Sequence, residues 1–192
     1  MQLLKDRIRS EGKVLPGNII KVDGFLNHRI DTELMDHIAE EFGKHFNMDE
    51  VTMILTAEAS GIALATICAE RYNVPMVFAK KAKSDNIEGG LYQSEIFSYT
   101  YKKKVTQILS KEWLNANDRV LIIDDFMANG EAMRGLCDIV KAAGATLVGI
   151  GCAVEKGFQG GGDRLRAAGV NLKSLAIIES AEPGNIVFRD ED

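Results

Sequence analysis

Residues 119–132 read RVLIIDDFMANGEA, and this stretch decides the fold. Four apolar residues, 120–123, run directly into Asp124 and Asp125. A short apolar run rich in β-branched residues is typical of a strand buried on both faces, as a parallel sheet requires. Two adjacent carboxylates at the carboxyl end of the strand cannot stay unpaired in such a core, so we expect them to mark where the strand emerges into a crevice.

The residues after the two acids are typical of a phosphate-binding turn. Ala128, Asn129 and Gly130 form a short turn, and a helical pattern begins at Glu131. A glycine-containing turn that opens a helix presents free backbone N–H groups and the positive end of the helix dipole. The stretch therefore offers carboxylates for hydroxyls or a hydrated metal and amides for a phosphate. A plain strand–turn–helix unit with solvated acids fits the spacing equally well.

Length and composition narrow the class of protein. The chain has 192 residues and a net charge of −5, which fits one domain with a buried sheet and gives no basic excess for non-specific nucleic-acid binding. Its three cysteines, Cys68, Cys137 and Cys152, lack CxxC spacing and indicate buried thiols in a reducing compartment. No signal-like start or membrane-length apolar run is present, so we expect a cytoplasmic protein without a membrane span.

Periodicity along the rest of the chain predicts alternating strands and helices. The predicted strands cover residues 51–56, 76–79, 91–98, 104–109, 120–123, 146–154, 171–179 and 186–188. The predicted helices cover residues 3–11, 62–72, 133–143 and 163–168, and another begins after Asp31 as its N-cap. We expect the run Gly160–Gly161–Gly162 to be a hinge or turn. This order predicts an α/β fold with a mainly parallel sheet, whose ligands lie at the carboxyl ends of the strands.

The central stretch resembles the 5-phosphoribosyl 1-pyrophosphate (PRPP) signature of type I phosphoribosyltransferases, in which an apolar strand, two acids, a short loop and a helix follow one another. The resemblance implies that fold over a single domain, residues 1–192. It also implies a flexible lid hairpin at about residues 81–109, and a small hood over the base from about residues 1–30 and the C-terminal part. Asp124 and Asp125 would face the ribose hydroxyls as the catalytic pair. The loop that would hold the 5-phosphate comprises Ala128, Asn129, Gly130, Glu131 and Ala132.

This loop departs from the commonest form of the signature. Asn129 and Ala132 stand where hydroxyl residues, usually threonine, are common in the family. The phosphate would then depend more on backbone amides and on the Asn129 side chain. Glu131 carries a negative charge beside the phosphate, so it fits only if its carboxylate points away.

The resemblance also implies a second part of the PRPP site. The loop of Glu58, Ala59, Ser60 and Gly61 follows the first core strand and would bind the pyrophosphate through its amides and the Ser60 hydroxyl. The Glu58 carboxylate fits there only if it reaches Mg²⁺ or another cation. Lys81 would reach the pyrophosphate, with Lys80 or a merely solvated lysine run as the alternatives. We expect Mg²⁺ to be held through PRPP and water, without a confident direct protein ligand.

The closest resemblance is to the bacterial xanthine branch of the family. It lies in the segments IIKVDGFLNHRID, AEASG, IIDDFMANGEA and AVEKGFQGG. The implied reaction is transfer of ribose 5-phosphate from PRPP to N9 of xanthine. Lys156 could then donate to the 6-oxo group and Asn27 could bond the purine edge, while Phe126 stacks on the purine face and Ile20 helps form the hood. Each also has a plain structural interpretation, such as a core Phe126, a solvated Lys156 or Asn27 in a turn.

Two other functions remain open at this point. One is a PRPP-binding regulatory protein of the same fold, although the chain begins almost directly with the hood segment and leaves no room for a winged helix. The other is a hypoxanthine/guanine or adenine phosphoribosyltransferase, since base preference depends on a few contacts. No histidine or cysteine is placed as a nucleophile, which fits direct displacement. The family also implies a homodimer.

Overall fold

The computed structural model describes residues 1–81, 90–98 and 103–189. The helices are α1 (Gln2–Glu11), α2 (Thr32–His45), α3 (Gly61–Tyr72), α4 (Glu131–Ala142) and α5 (Gly161–Ala167). The strands are β1 (Lys13–Leu15), β2 (Ile19–Lys21), β3 (Met53–Ala57), β4 (Met76–Ala79), β5 (Leu91–Ser98), β6 (Lys103–Ser110), β7 (Arg119–Met127), β8 (Thr146–Lys156), β9 (Leu172–Glu182) and β10 (Asn185–Phe188). Within these residues no helix combines the length and the apolar character needed to cross a membrane.

Six strands form the central sheet in the order β10-β9-β8-β7-β3-β4. Strand β10 is antiparallel to β9, and every other neighbouring pair is parallel. Strand β7, the apolar run of the central stretch, lies in the interior of the sheet between β3 and β8. The predicted α/β fold with a mainly parallel sheet is therefore confirmed.

Helices cover both faces of the sheet because successive side chains of β7 point to opposite sides. Leu121 and Ile123 belong to the apolar cluster that contains residues of α1, α2 and α3. Val120 and Ile122 belong to the cluster that contains residues of α4. Asp31 caps α2 as predicted, since its side chain accepts a hydrogen bond from the Leu34 amide at 3.1 Å.

Two antiparallel hairpins flank the sheet. Strands β1 and β2 pair near the amino terminus, and a π-helical turn, Asp23–Asn27, follows them. Strands β5 and β6 form the hairpin of the predicted lid. Reciprocal backbone hydrogen bonds of 2.9 and 2.8 Å between Lys80 and Ile108 attach this hairpin to the end of β4. Residues 82–89 and 99–102 of the predicted lid lie outside the described residues.

The central strand extends beyond the apolar run at residues 120–123. Strand β7 continues through both acids to Met127, because β8 extends equally far and pairs with it up to Met127 and Glu155. Asp124 and Asp125 are therefore ladder residues of the sheet and are largely buried. Their side chains obtain hydrogen bonds from the strand itself and from the neighbouring loop, which the sequence pattern does not show.

The expectation of a hinge or turn at residues 160–162 was also only partly right. Gly160 has a φ of +68° and caps α5, but Gly161 and Gly162 already belong to that helix. A Cβ at Gly161 would lie 2.4 Å from the carbonyl oxygen of Ala128, and one at Gly162 would lie 2.1 Å from Glu155 Oε1. These two glycines allow close packing of the backbone and are not there for flexibility.

Candidate active site

The loops after β3, β7 and β8 meet at one edge of the sheet because the three strands are parallel neighbours. A cavity of about 490 Å³ lies beside the loop after β7. Its lining includes Lys81, Ile96, Phe97, Phe126, Met127, Ala128, Asn129, Gly130, Glu131, Ala132 and Met133. The cavity thus brings together the predicted 5-phosphate loop, Lys81 and Phe126.

The two aspartates directly precede the cavity-lining residues Phe126 and Met127 in β7 but do not themselves line the cavity. Asp124 is 7 % exposed and Asp125 is 1 % exposed. The Ser60 hydroxyl donates to Asp125 Oδ1 at 2.8 Å, and the Asp125 amide donates to Asp124 Oδ1 at 3.0 Å. Asp125 Oδ2 is buried and has no hydrogen-bond partner within the described residues. Because an unpaired buried carboxylate oxygen is costly, this atom is suited to a donor supplied by a ligand.

The surroundings of Asp124, including the charge of Asp125, also change the ionisation of its carboxyl group. Burial, followed by the negative charge of Asp125, raises the pKa of Asp124 well above its usual range. The positive charge of Lys81 acts in the opposite direction on that pKa. A bound hydroxyl donor or cation would favour the ionised form of this carboxyl, so ionisation and ligand binding are linked.

The loop after β3 lies directly against Asp124. A Cβ at Gly61 would come within 2.3 Å of both Asp124 Oδ1 and Thr56 Oγ1, so only glycine fits between the loop and the acid. Ser60 precedes α3 but makes no side-chain capping bond, because its hydroxyl binds Asp125 instead. The Glu58–Ala59 peptide bond is cis.

The structure gives Glu58 a backbone partner. Glu58 Oε1 accepts a hydrogen bond from the Lys81 amide at 2.6 Å, and the Glu58 amide donates to the carbonyl of Ala79 at 3.0 Å. The loop after β3 is therefore tied to the end of β4. This contact also fixes the backbone from which the Lys81 side chain extends into the cavity.

The loop after β7 presents the start of α4. Gly130 has a φ of +76° and caps this helix without a side-chain bond. Glu131 is directed to the hairpin and to its own helix, since its Oε2 accepts from Arg134 Nη2 at 3.1 Å and from the Phe97 amide at 3.4 Å. The bond from Arg134 lowers the pKa of Glu131. An arginine thus offsets the charge that is unfavourable beside a phosphate.

Of the residues expected at the base, Lys156 and Phe126 lie together beside the amino-terminal segment. Lys156, the last residue of β8, lies with its Nζ 5.5 Å from the centroid of the Phe126 ring and donates to the carbonyl of Asn18 at 3.1 Å. Burial lowers the pKa of Lys156. Ile20 is buried in the apolar cluster against which Phe126 packs. Asn27 ends the π-helical turn, and within the described residues no hydrogen bond joins it to Lys156.

Three residues near the site have contacts that sequence reasoning did not predict. Glu155, which directly follows the predicted strand 146–154, is fully buried and binds Arg166 (Nη2–Oε2 2.5 Å) and the Ser174 hydroxyl (2.5 Å). Arg164 Nη2 donates to the carbonyl of Asn129 at 3.0 Å. Thr56 Oγ1 is buried beneath Gly61 without a hydrogen-bond partner in the described chain. In the sequence, the only signal for these contacts was that Glu155 and Thr56 lie at the ends of strands.

The acidic side chains of the site decide how a divalent cation could be held. The described part of the chain contains no group of three or more histidine, cysteine or acidic side chains able to hold a metal ion. Mg²⁺ commonly keeps several waters and binds through one or two carboxylates together with substrate phosphates. Asp124 and Asp125, with one free buried oxygen, fit such a hydrated ion better than a closed protein cage.

Comparison with known proteins gives the family. The model of the phosphoribosyl transferase domain matches residues 25–168. The chain is 54 % identical to xanthine phosphoribosyltransferases of Lachnoclostridium phytofermentans, over all of both chains, and of Bifidobacterium animalis subsp. lactis, over 98 % of this chain and 100 % of the relative. The adenine phosphoribosyltransferase of Giardia lamblia, solved with 9-deazaadenine, shares the fold (TM-score 0.76, 22 % identity, 90 % of this chain and 96 % of that one). The chain belongs to the phosphoribosyltransferase family.

Proposed function

We propose that this protein transfers the 5-phosphoribosyl group of PRPP to N9 of xanthine, giving xanthosine 5′-phosphate and pyrophosphate, a purine-salvage reaction. The observation that carries the proposal is the buried pair Asp124 and Asp125, whose free Oδ2 faces no protein donor in the described residues. Relatives between 47 % and 54 % identical, which match 98 % or more of this chain, bear the name of that activity. The reaction is a pentosyl transfer.

The crevice offers a group for each part of PRPP. Asp125 Oδ2 accepts a ribose hydroxyl, and the loop of residues 128–132 binds the 5-phosphate through amides at the positive end of α4. The amides of residues 58–61, the Ser60 hydroxyl and the Lys81 ammonium bind the pyrophosphate. When Mg²⁺ is bound with PRPP, it offsets negative charge on the departing pyrophosphate. Asp124 and Asp125 favour the positive charge that develops at C1 of the ribose.

The base end suits an oxo-purine. Lys156 has three N–H donors, and the contact with the Asn18 carbonyl uses one of them, so others remain for the 6-oxo group of xanthine. Phe126 offers a ring face for purine stacking, Asn27 bonds the purine edge, and Ile20 supports the hood from the core. An ammonium donor does not match the exocyclic amine of adenine, because that amine is itself a hydrogen-bond donor.

No covalent enzyme intermediate is part of the proposal. The buried thiol of Cys152 has a pKa raised well above its usual value by burial, so it is a poor nucleophile. Direct displacement requires that the base be positioned and that water be excluded. The β5–β6 hairpin provides a cover, because Ile96, Phe97 and Val105 line the cavity opposite the 5-phosphate loop.

The proposal extends to the assembly and the compartment. A homodimer is expected from the family resemblance, and sedimentation velocity of the purified protein measures it against a chain mass of 21.1 kDa. All three cysteines lie in the described residues and are free thiols. Free thiols fit a reducing compartment such as the cytoplasm.

The direct test measures product with purified protein, PRPP, Mg²⁺ and xanthine. We expect xanthosine 5′-phosphate and pyrophosphate in equal amounts, with Asp125→Asn losing about 10²-fold in rate because the ribose is misplaced. Asp49→Asn, an exposed aspartate that precedes β3 and so lies at the opposite end of that strand from the crevice, is the matched control with unchanged activity. Binding of PRPP without turnover of any purine would instead support the regulatory alternative.

A further inference from the structure

Helix α5 contacts the 5-phosphate loop, although no residue of α5 was expected to take part in the site. Arg164 Nη2 donates to the carbonyl oxygen of Asn129 at 3.0 Å, and Arg164 Nη1 donates to the carbonyl of Gln159 at 3.4 Å. One guanidinium therefore bridges the loop after β7 and the segment after β8. Both partners are backbone carbonyls, so the contact fixes main-chain orientation.

The orientation of the Asn129 carbonyl decides where the next amide points. In a planar trans peptide the C=O and N–H groups point in opposite directions. A bond from Arg164 to the Asn129 carbonyl thus turns the Gly130 amide to the side away from Arg164. A loop that binds an anion needs its N–H groups toward the anion and its carbonyls away from it.

Close backbone packing supports the same orientation. A Cβ at Gly161 would lie 2.6 Å from both the Asn129 carbonyl carbon and the Gly130 nitrogen. Gly161 thus lets α5 approach the peptide unit that Arg164 holds. This part of the loop is therefore packed against α5 and is not surrounded by solvent.

The composition of the loop makes this support more important. Asn129 and Ala132 replace the hydroxyl residues common in the family, so the 5-phosphate depends more on backbone amides. Glu131 brings a negative charge into the same loop, and Arg164 is one of the two arginines whose charge lowers the pKa of Glu131, the other being Arg134.

The same helix also reaches the base end. Arg166 binds the buried Glu155 through both of its terminal nitrogens, at 2.5 and 3.1 Å, and Glu155 directly precedes Lys156. Gly162 gives the Glu155 carboxylate its space. Helix α5 is therefore connected to both the phosphate loop and the end of β8.

We propose that Arg164 is a positioning residue for the 5-phosphate loop, which holds the Asn129 carbonyl outward so that the Gly130 amide faces the phosphate of PRPP. This inference rests on the proposed function, because only that function makes the loop a phosphate site. Arg164 does not itself have to touch the substrate. Its effect is on the order and direction of the loop amides.

Two measurements on the same variants test the proposal. Arg164→Met keeps the side-chain stem and removes the donor, while Arg164→Lys keeps a donor and the charge. Arg119→Met, at the opposite edge of the sheet, is the matched control. We expect Arg164→Met to raise the KM for PRPP about fivefold, the ratio for one ordinary hydrogen bond, with the KM for xanthine and kcat near the parent values. Arg164→Lys should recover most of the loss.

The second measurement is ¹⁵N relaxation of the Gly130 and Glu131 amides in the unliganded protein, which needs no activity. Arg164→Met should make these amides more mobile, and Arg119→Met should not. Unchanged mobility with a raised KM for PRPP would show that Arg164 acts through charge alone. Raised mobility with an unchanged KM for PRPP would show that loop order is unimportant. Either result overturns the proposal. If the parent protein transfers nothing, the proposed function fails, and the KM is replaced by the dissociation constant for ribose 5-phosphate in the same variants.

Discussion

At the scale of single residues, Lys156 is held in place by the protein before any base arrives. Its ammonium lies over the Phe126 ring and donates to the Asn18 carbonyl, which belongs to the amino-terminal hood segment. Partial burial lowers its pKa, so the ammonium is less strongly hydrated than a surface lysine would be. The role proposed for this donor is to distinguish an oxo group, which accepts a hydrogen bond, from an amine, which donates one.

Removal of that donor should change base choice more than catalysis. We expect Lys156→Ala to lower kcat/KM for xanthine about 10²-fold, while the affinity for PRPP stays close to the parent value, because the proposed contact of the residue is with the base. Lys156→Gln, which keeps an N–H donor, should retain more activity. Equal losses for xanthine and PRPP binding would indicate a structural role for Lys156.

Asp124 should lower the stability of the folded protein as pH rises. Its pKa is raised in the folded state by burial and by Asp125, so the folded protein must accept a buried charge at a pH where the unfolded carboxyl is already ionised. Folding stability from this group is fully present below its ordinary value of about 4 and is lost as pH rises through the folded-state pKa. Asp124→Asn removes this loss.

The measurement is urea unfolding of the parent and Asp124→Asn at several values between about pH 5 and pH 8. We expect the variant to be more stable by about 1 kcal/mol near neutrality and to lose less stability with rising pH, while its transfer activity falls about 10²-fold. Parallel stability curves for the two proteins would contradict this assignment of the titrating group.

At the scale of elements, the loop after β3 is fitted to β7 by a glycine. Gly61 allows the first turn of α3 to lie against Asp124 and Thr56, and the Ser60 hydroxyl joins the same contact through Asp125. The loop of residues 58–61 and the two aspartates are therefore one packed unit. A side chain at this position must push them apart.

Gly61→Ala should cost about 1–3 kcal/mol of stability, the usual range for overpacking, and should reduce transfer strongly. Gly24→Ala is the control for stability, because a Cβ there would meet nothing within 4 Å. Thermal unfolding of both variants gives the comparison. If Gly61→Ala were as stable as Gly24→Ala, the close packing of the loop on Asp124 would be wrong.

The contact of the β5–β6 hairpin with α4 contains an unusual buried amide. Gln107 is fully buried, and both polar atoms of its side chain lack hydrogen-bond partners within the described residues. Gly135 of α4 makes room for it, since a Cβ there would lie 2.1 Å from Gln107 Oε1. Nearby, the Ser94 hydroxyl donates to Asp138 at 2.9 Å.

Replacement of this amide by an apolar side chain of similar length should strengthen the contact. We expect Gln107→Met to raise the free energy of unfolding by about 1 kcal/mol, because the penalty of an unsatisfied buried amide disappears. Gln93→Met, on the partner strand opposite Ile108, serves as the control on an exposed position. A destabilised Gln107→Met would mean that the amide has partners outside the described residues.

Element positions were largely predictable from the sequence because apolar periodicity reports burial directly. Strands β4 and β5 and the N-cap Asp31 lie where the pattern predicted them. The pattern failed where polar residues are buried with partners from distant segments, as at Asp124, Asp125 and Glu155. Gly161 and Gly162 were predicted to lie in a hinge or turn because sequence alone does not show which backbone will approach a glycine.

At the scale of the whole molecule, the sheet order explains how distant segments make one crevice. Strands β3, β7 and β8 are neighbours although α3, β4 and the β5–β6 hairpin separate β3 from β7 in the chain. The strand-end loops were predictable as a group from the alternation of strands and helices. The contact of α5 with the loop after β7 was not, because it depends on the bond of Arg164 to a backbone carbonyl, for which a sequence carries no signal.

The measurement that tests the central proposal most directly is kcat/KM of the purified protein with PRPP and Mg²⁺ for xanthine, guanine, hypoxanthine and adenine in parallel. We expect xanthine to be the best substrate, adenine to be the poorest, and Lys156→Ala to reduce the preference for xanthine. A preference for adenine, or transfer to none of the four bases while PRPP binds, would contradict the proposed function.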